Sequence, residues 1–175
     1  ITIENGNVEI RNCRISNSSQ SGIYATGENQ ALIKENKIQS NLNGILLKYS
    51  ASGVNITNNE VSSNTQNGIY IHAFAYAEAM GDYDIKTEQA IIHNVLISSN
   101  NVSSNNIGIH LHSYAVANAS YYYYVQIRAN ASIQNLTVSN NIIKSNTNSG
   151  IQVFSYQYEW LDTWWDRRPT QLADA

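Results

Sequence analysis

Hydrophobic residues along this chain recur in short alternating runs broken by Asn and Gly, and the runs themselves repeat. One phrase is written five times, with its apolar members at Val8, Ile10, Ile15 and Ile23; Ala31, Ile33, Ile38 and Ile45; Val54, Ile56, Val61 and Ile69; Val95, Ile97, Val102 and Ile109; and Leu136, Val138, Ile143 and Ile151. β-Branched residues in alternation suit half-buried strands, Asn and Gly suit the corners between them, and no helical period competes. The phrase starts at 8, 31, 54, 95 and 136, so its steps are 23, 23, 41 and 41 residues. An interval of 23 residues holds three short strands with their turns, and coils stacked at about 4.8 Å pile their Val, Ile and Leu into one interior column. The pattern therefore predicts an all-β parallel solenoid of about five coils, a single domain over 1–175. Its core coils fall at 1–72, 94–112 and 135–154.

The corners carry a second register. Asn36, Asn59, Asn100 and Asn141 share one position of the repeat, and Asn41, Asn64, Asn105 and Asn146 share another. Stacked carboxamides donate to one neighbouring coil and accept from the other, satisfying polar groups that a turn otherwise buries unpaired. Two ladders are predicted. Cys13 takes the first ladder's place in the opening coil and reads as a small, buried, unreactive residue. Gly22, Gly44, Gly68, Gly108 and Gly150 precede the third strand, where positive φ or a close backbone approach calls for glycine.

The phrase Val-x-Ile-x-Asn-Asn-x-Ile, followed by Asn and by Gly-Ile-x-Leu, resembles the right-handed parallel β-helix repeat of the pectate-lyase-like superfamily and of Asn-rich archaeal and bacterial surface proteins. The resemblance covers roughly 8–154. It implies the fold; lyases, hydrolases, tailspikes, adhesins and envelope proteins all use this solenoid, so it leaves the activity open.

The longer steps hold insertions of equal length, which open alike at His72-Ala73-Phe74 and His112-Ser113-Tyr114, with a third version at Phe154-Ser155-Tyr156. Matching openings predict stacked β-hairpin arms at about 73–93, 113–134 and 155–175, with long strands between about 69 and 97 and between about 109 and 138. Met80-Gly81-Asp82-Tyr83 reads as the first hairpin tip, and the second arm is expected to turn near Asn118 and Ser120. The third arm has a short return segment and reads as a cap, a truncated piece, or an arm completed by another chain.

Aromatic residues concentrate in these arms. Phe74, Tyr76, Tyr114, Tyr122, Tyr124, Tyr156, Tyr158, Trp160 and Trp164 are candidates for contact with a partner or a glycan, since rings with one polar atom suit both. The alternative is that facing arms pack these rings together as a second small core. His72, His110 and His112 gather near the arm's root and are a candidate metal group, although stacked packing beside aromatics accounts for the same pattern.

Composition narrows the function. Net charge is −3, with no Lys/Arg cluster, so there is no footprint for phosphate and nucleic acid is not an expected partner. Apolar runs such as Ile45-Leu46-Leu47 are too short for a helix to span a bilayer, and no membrane span is expected. A chain that opens on Ile1 suggests a leader or upstream region removed. One cysteine excludes an internal disulfide and a Cys-based metal cluster. N-glycosylation sequons stand at Asn17, Asn55, Asn101, Asn118, Asn130 and Asn135, which suits export to an extracellular or cell-surface location.

The family's pectin-cleaving members use clustered Asp, or Asp with Lys and Arg. The polygalacturonase-type Asn-Thr-Asp, Gly-Asp-Asp, Gly-His-Gly and Arg-Ile-Lys motifs are absent from this sequence. Asp82 and Asp84 read as a solvated turn, and Glu78, Lys86 and Glu88 as arm charges that oppose edge aggregation. No catalytic residue and no cofactor is expected. The sequence thus points to a non-catalytic extracellular structural or adhesive protein, assembling end to end as a homo-oligomer or filament through coil edges and aromatic arms. The alternative is a carbohydrate-binding or polysaccharide-degrading module of lyase or hydrolase type.

Overall fold

The computed structural model describes residues 1–28, 30–80, 85–120, 126–162 and 170–174. After β1 (Thr2–Ile3), the strands come in threes. They are β2 (Glu9–Arg11), β3 (Arg14–Ser16) and β4 (Ser21–Glu28); β5 (Leu32–Lys34), β6 (Lys37–Gln39) and β7 (Asn43–Ser52); β8 (Asn55–Thr57), β9 (Glu60–Ser62) and β10 (Asn67–Met80). The longer coils follow: β11 (Ile85–Ser98), β12 (Asn101–Ser103) and β13 (Ile107–Ser120); then β14 (Gln126–Ser139), β15 (Ile142–Lys144) and β16 (Ser149–Asp162), with β17 (Thr170–Asp174) last. Every pairing between them is parallel. Second strands form a five-stranded sheet; first and third strands join in a twelve-stranded one, because β7 reaches both β10 and β11.

The register is that of the repeat. Ile10, Ile33, Ile56, Ile97 and Val138 lie above one another, as do Ile15, Ile38, Val61, Val102 and Ile143. The middle rungs of both columns are fully buried. Each buried Ile or Val contributes roughly 1.5–3 kcal/mol.

Left-handed residues make the corners. Asn12, Glu35, Asn58, Ser99 and Asn140 have φ of 54–57°, each just before the first ladder position. The carboxamide that follows turns inward. Asn59 Nδ2 donates to Asn100 Oδ1 at 2.9 Å and to Ile33 O at 2.8 Å, while its Oδ1 accepts from Asn36 N at 3.0 Å and from Asn36 Nδ2 at 3.1 Å. The second ladder runs likewise from Asn41 through Asn64 and Asn105 to Asn146. In the opening coil Cys13 N and Ser18 N donate to Asn36 Oδ1 and Asn41 Oδ1, each at 3.0 Å. Cys13 is exposed, contrary to the expected burial, because no coil in this structure lies beyond it at that corner.

The repeat glycines do not have positive φ; Gly6, Gly27 and Gly53 do. Close approach is what requires them. A Cβ on Gly44 would stand 2.5 Å from Gly68 O and 2.6 Å from Val61 Cγ1.

The arms run out and back as predicted, but their two limbs pair with neighbouring coils and not with each other. The outgoing limb of β10 lies against β13 along its length, and the returning limb of β11 against β14. An arm is therefore a widened coil, two sheets face to face. Between the sheets lie Ala75, Ala77, Ala79, Ala90, Ala115, Ala117, Ala129 and Ala131, with Ile127. The expected second core of rings is thus not what fills the arm: small methyl groups allow the sheets to close, and the described rings stay outside. Asn118 and Ser120 lie within β13, paired to Glu78 and Met80, so the second arm does not turn there. The proposed tips, with Asp82, Asp84, Tyr122 and Tyr124, fall outside the described residues, as does Trp164.

Candidate functional site

The outer face of the third strands gathers most of the described aromatic and imidazole side chains. Residues that face outward at one position stack on their equivalents one coil away, because parallel in-register pairing fixes them there. One column runs Tyr24, Leu46, Tyr70, His110, Gln152 and the next Lys48, His72, His112, Phe154. Farther out come Phe74, Tyr114, Tyr156 and then Tyr76, Val116, Tyr158. Tyr76, Tyr156 and Tyr158 are 43%, 54% and 44% exposed, whereas Phe74 and Tyr114 are half-buried between their neighbours.

Ring geometry follows the coil spacing. His72 stacks on His112 at 4.9 Å with 8° between planes, Tyr70 on His110 at 4.6 Å and 10°, and Phe74 on Tyr114 at 5.5 Å and 17°. Tyr70 Oη lies 3.2 Å from His112 Nδ1, and His110 Nδ1 lies 3.2 Å from Asn67 Oδ1. His72 Nε2 and His110 Nε2 are buried without a hydrogen-bond partner.

This packing favours neutral rings. Burial, helped by the charges on His112, Lys48 and His110, pulls the His72 imidazole down to about 4. His110 is lowered by burial and then by His112, and His112 by burial alone. Burial also pushes the Tyr70 phenol up to about 12.

Parallel stacked imidazoles hold their in-plane lone pairs side by side and not toward a common centre. Among the described residues no group of three or more His, Cys, Asp or Glu gathers to hold a metal. Several carboxylates lie in ion pairs on the coil corners: Glu35 with Arg11 at 2.8 Å and Glu60 with Lys37 at 2.7 Å. Arg11 holds the Glu35 carboxyl below its usual range.

The sequence reading missed several members of this face. Asn67 Nδ2 donates to Asn43 Oδ1 at 2.7 Å, which starts a polar thread continued by His110; its sequence signal was the Asn-Gly pair repeated at Asn43 and Asn67. Tyr49 holds a left-handed backbone, φ 62°, with Lys48 Nζ 4.6 Å above its ring and Phe74 6.3 Å away. A bulky residue is strained in that conformation. Below the imidazoles an open cleft of about 750 Å³ is lined by Ser18, Gln20, Tyr24, Asn43, Leu46 and Lys48 among others.

Trp160 falls within β16, in register with Asn118. Of the sequons, Asn17, Asn55 and Asn135 are exposed, while Asn101, Asn118 and Asn130 are half-buried. Asn101 Oδ1 and Asn118 Oδ1 are shut away from solvent without a partner, poor placement for a glycan acceptor.

Compared with known proteins, the chain matches the family model described as the right-handed β-helix region over residues 1–159. No curated protein and no solved structure gives a significant match.

Proposed function

The chain belongs to the right-handed β-helix family, and within that fold we propose a non-catalytic structural or adhesive role at an extracellular surface, with the ringed outer face of the arms as the contact surface. The observation that carries this reading is the exposure of Tyr76, Tyr156 and Tyr158 on one flat sheet whose backbone is fixed by pairing on successive coils. Rigid, amphipathic rings lose little entropy on contact and present both an apolar body and a polar tip. Assembly between copies belongs to the same proposal. Ile142, Ile151, Val153 and Phe154 of the last described coil are each more than half exposed and suit stacking by a further coil.

The test is negative-stain microscopy and sizing of the purified chain over a concentration series, alone and with Tyr76, Tyr156 and Tyr158 all replaced by Ser. Filaments, sheets or higher oligomers lost in the triple variant are the expected result. A strict monomer that also fails to adhere to cell-envelope material defeats the proposal.

A second reading, glycan binding or cleavage, is favoured by the cleft floored by Tyr24 and Leu46 with Lys48 at its side. Titration with neutral and acidic polysaccharides, read by aromatic fluorescence and by release of unsaturated or reducing ends, separates binding from cleavage. Silence in both removes this reading.

A further inference from the structure

The solenoid changes width within one coil. β7 reaches Lys48, turns at Tyr49 and is already returning at Ala51, so β10 pairs with it only from Ile69 to His72 and β11 only at Ile92 and His93. Beyond those positions, residues 73–80 pair on one side with β13, and residues 85–91 on one side with β14. The first arm therefore overhangs the narrow coils. Its underside bears two strand edges, with one amide covered where Ile91 N donates to Ser50 Oγ at 3.3 Å. The described residues of these edges include neither proline nor a positive φ, so the edges are neither bulged nor kinked. Long flat edges of this kind are templates for another strand.

The side chains on the edges select which strand. On β10 the inward positions are Ala73, Ala75, Ala77 and Ala79, which repel nothing. On β11 the inward register, fixed by pairing to buried Ile127 and Ala129, is held by Lys86 and Glu88, both exposed. Against an apolar strand these charges guard the edge, since stacking would bury each one unpaired. Against a second β11 the outcome depends on direction. Parallel in-register addition sets Lys on Lys and Glu on Glu. Antiparallel addition about a two-fold at Thr87 sets Lys86 opposite Glu88 of the other copy, twice.

We propose that this chain forms a two-fold dimer through the underside of its first arm, with β11 antiparallel to β11 and β10 antiparallel to β10 of a second copy. The contact is isologous and closes at two. Shape agrees with charge. The arm is three strands deep on each face (β10, β13, β16 and β11, β14, β17), and the narrow part beneath it is also three deep (β1, β4, β7 and β2, β5, β8). An arm of one copy thus matches the height of the step in the other. This inference is independent of what the ringed outer face binds.

Light scattering and sedimentation of the purified chain test it. The expected result is a dimer; K86E or E88K alone, which face like charges across the axis, weaken it at least about tenfold in Kd, and the double swap K86E/E88K restores it. In a C13S background, T87C is expected to oxidise to a covalent dimer, since directly opposed antiparallel residues lie within disulfide reach. Lys86, Thr87 and Glu88 are exposed, and circular dichroism checks that each variant keeps its sheet. A monomeric parent, single variants that dimerise like the parent, a double swap that stays monomeric, or T87C that fails to cross-link each overturns the proposal.

Discussion

At the scale of single residues, what distinguishes this chain is that identical side chains do different amounts of work at different rungs. Asn59 is 2% exposed and sits in the middle of its ladder, bonded both up and down. Asn59→Ala strands buried donors and an acceptor in two neighbouring coils and is expected to destabilise by about 3 kcal/mol in urea unfolding. Asn146→Ala, at the half-buried end of the second ladder, is expected to lose only about 1 kcal/mol. Equal losses at both positions would mean that the ladder is not the source of the stability. The glycines give a matched comparison. Gly44→Ala drives a methyl into a backbone oxygen of the next coil, whereas the same methyl on Gly150 meets its nearest atom at 3.4 Å. About 2 kcal/mol or more is expected for the first and close to none for the second, read from the same unfolding curves. Both register positions were legible in the sequence. The reason for the glycine was not, since spacing alone does not distinguish a left-handed backbone from a crowded one.

At the scale of elements, the outer columns of β10 and β13 couple the arm's root to pH. An unfolded imidazole protonates near 6.5, while His72 in its stack does so only near 4. Between those values the unfolded chain binds more protons, so the stacked contribution is whole above the window and is lost as pH falls through it. His110 and His112 are lowered too and act in the same direction. Lys48, Tyr70, Phe74, Tyr114 and Phe154 surround the three rings, and no carboxylate among them compensates the incoming charge. Thermal melting temperature is therefore expected to fall between pH 7.5 and pH 5. His72→Phe, which keeps a stacking ring, is expected to flatten that fall; an unchanged slope in this variant would assign the pH effect elsewhere. The sequence reveals that His72 and His112 match across an insertion. It does not reveal Tyr70 and Lys48 beside them, because those residues belong to columns with no repeated residue type.

At the scale of the whole molecule, a solenoid is held together by contacts between neighbouring coils, so stability varies along its axis. Ile56 and Ile97 have a buried rung on each side or a full coil above and below, whereas Ile1 and Ile151 are 55% and 52% exposed. Amide exchange is expected to be slowest in β8, β12 and the 95–98 segment of β11, and fastest in β1 and β17. A uniform protection along the axis would indicate one all-or-none unit instead of a stack.

The sequence by itself determined the coil, its period, its ladders and the existence of equal insertions, because these depend on residue types repeated at fixed intervals, and parallel stacking turns an interval directly into a contact. The tertiary structure decided how the insertions are used. Two sheets close on a layer of alanines, so the described rings are left outside as a face, and the arm overhangs a narrower coil, so Lys86 and Glu88 come to lie on an edge. Those outcomes depend on which side of a strand meets its neighbour and on how wide the coil below happens to be, and neither quantity is written in the spacing of the chain.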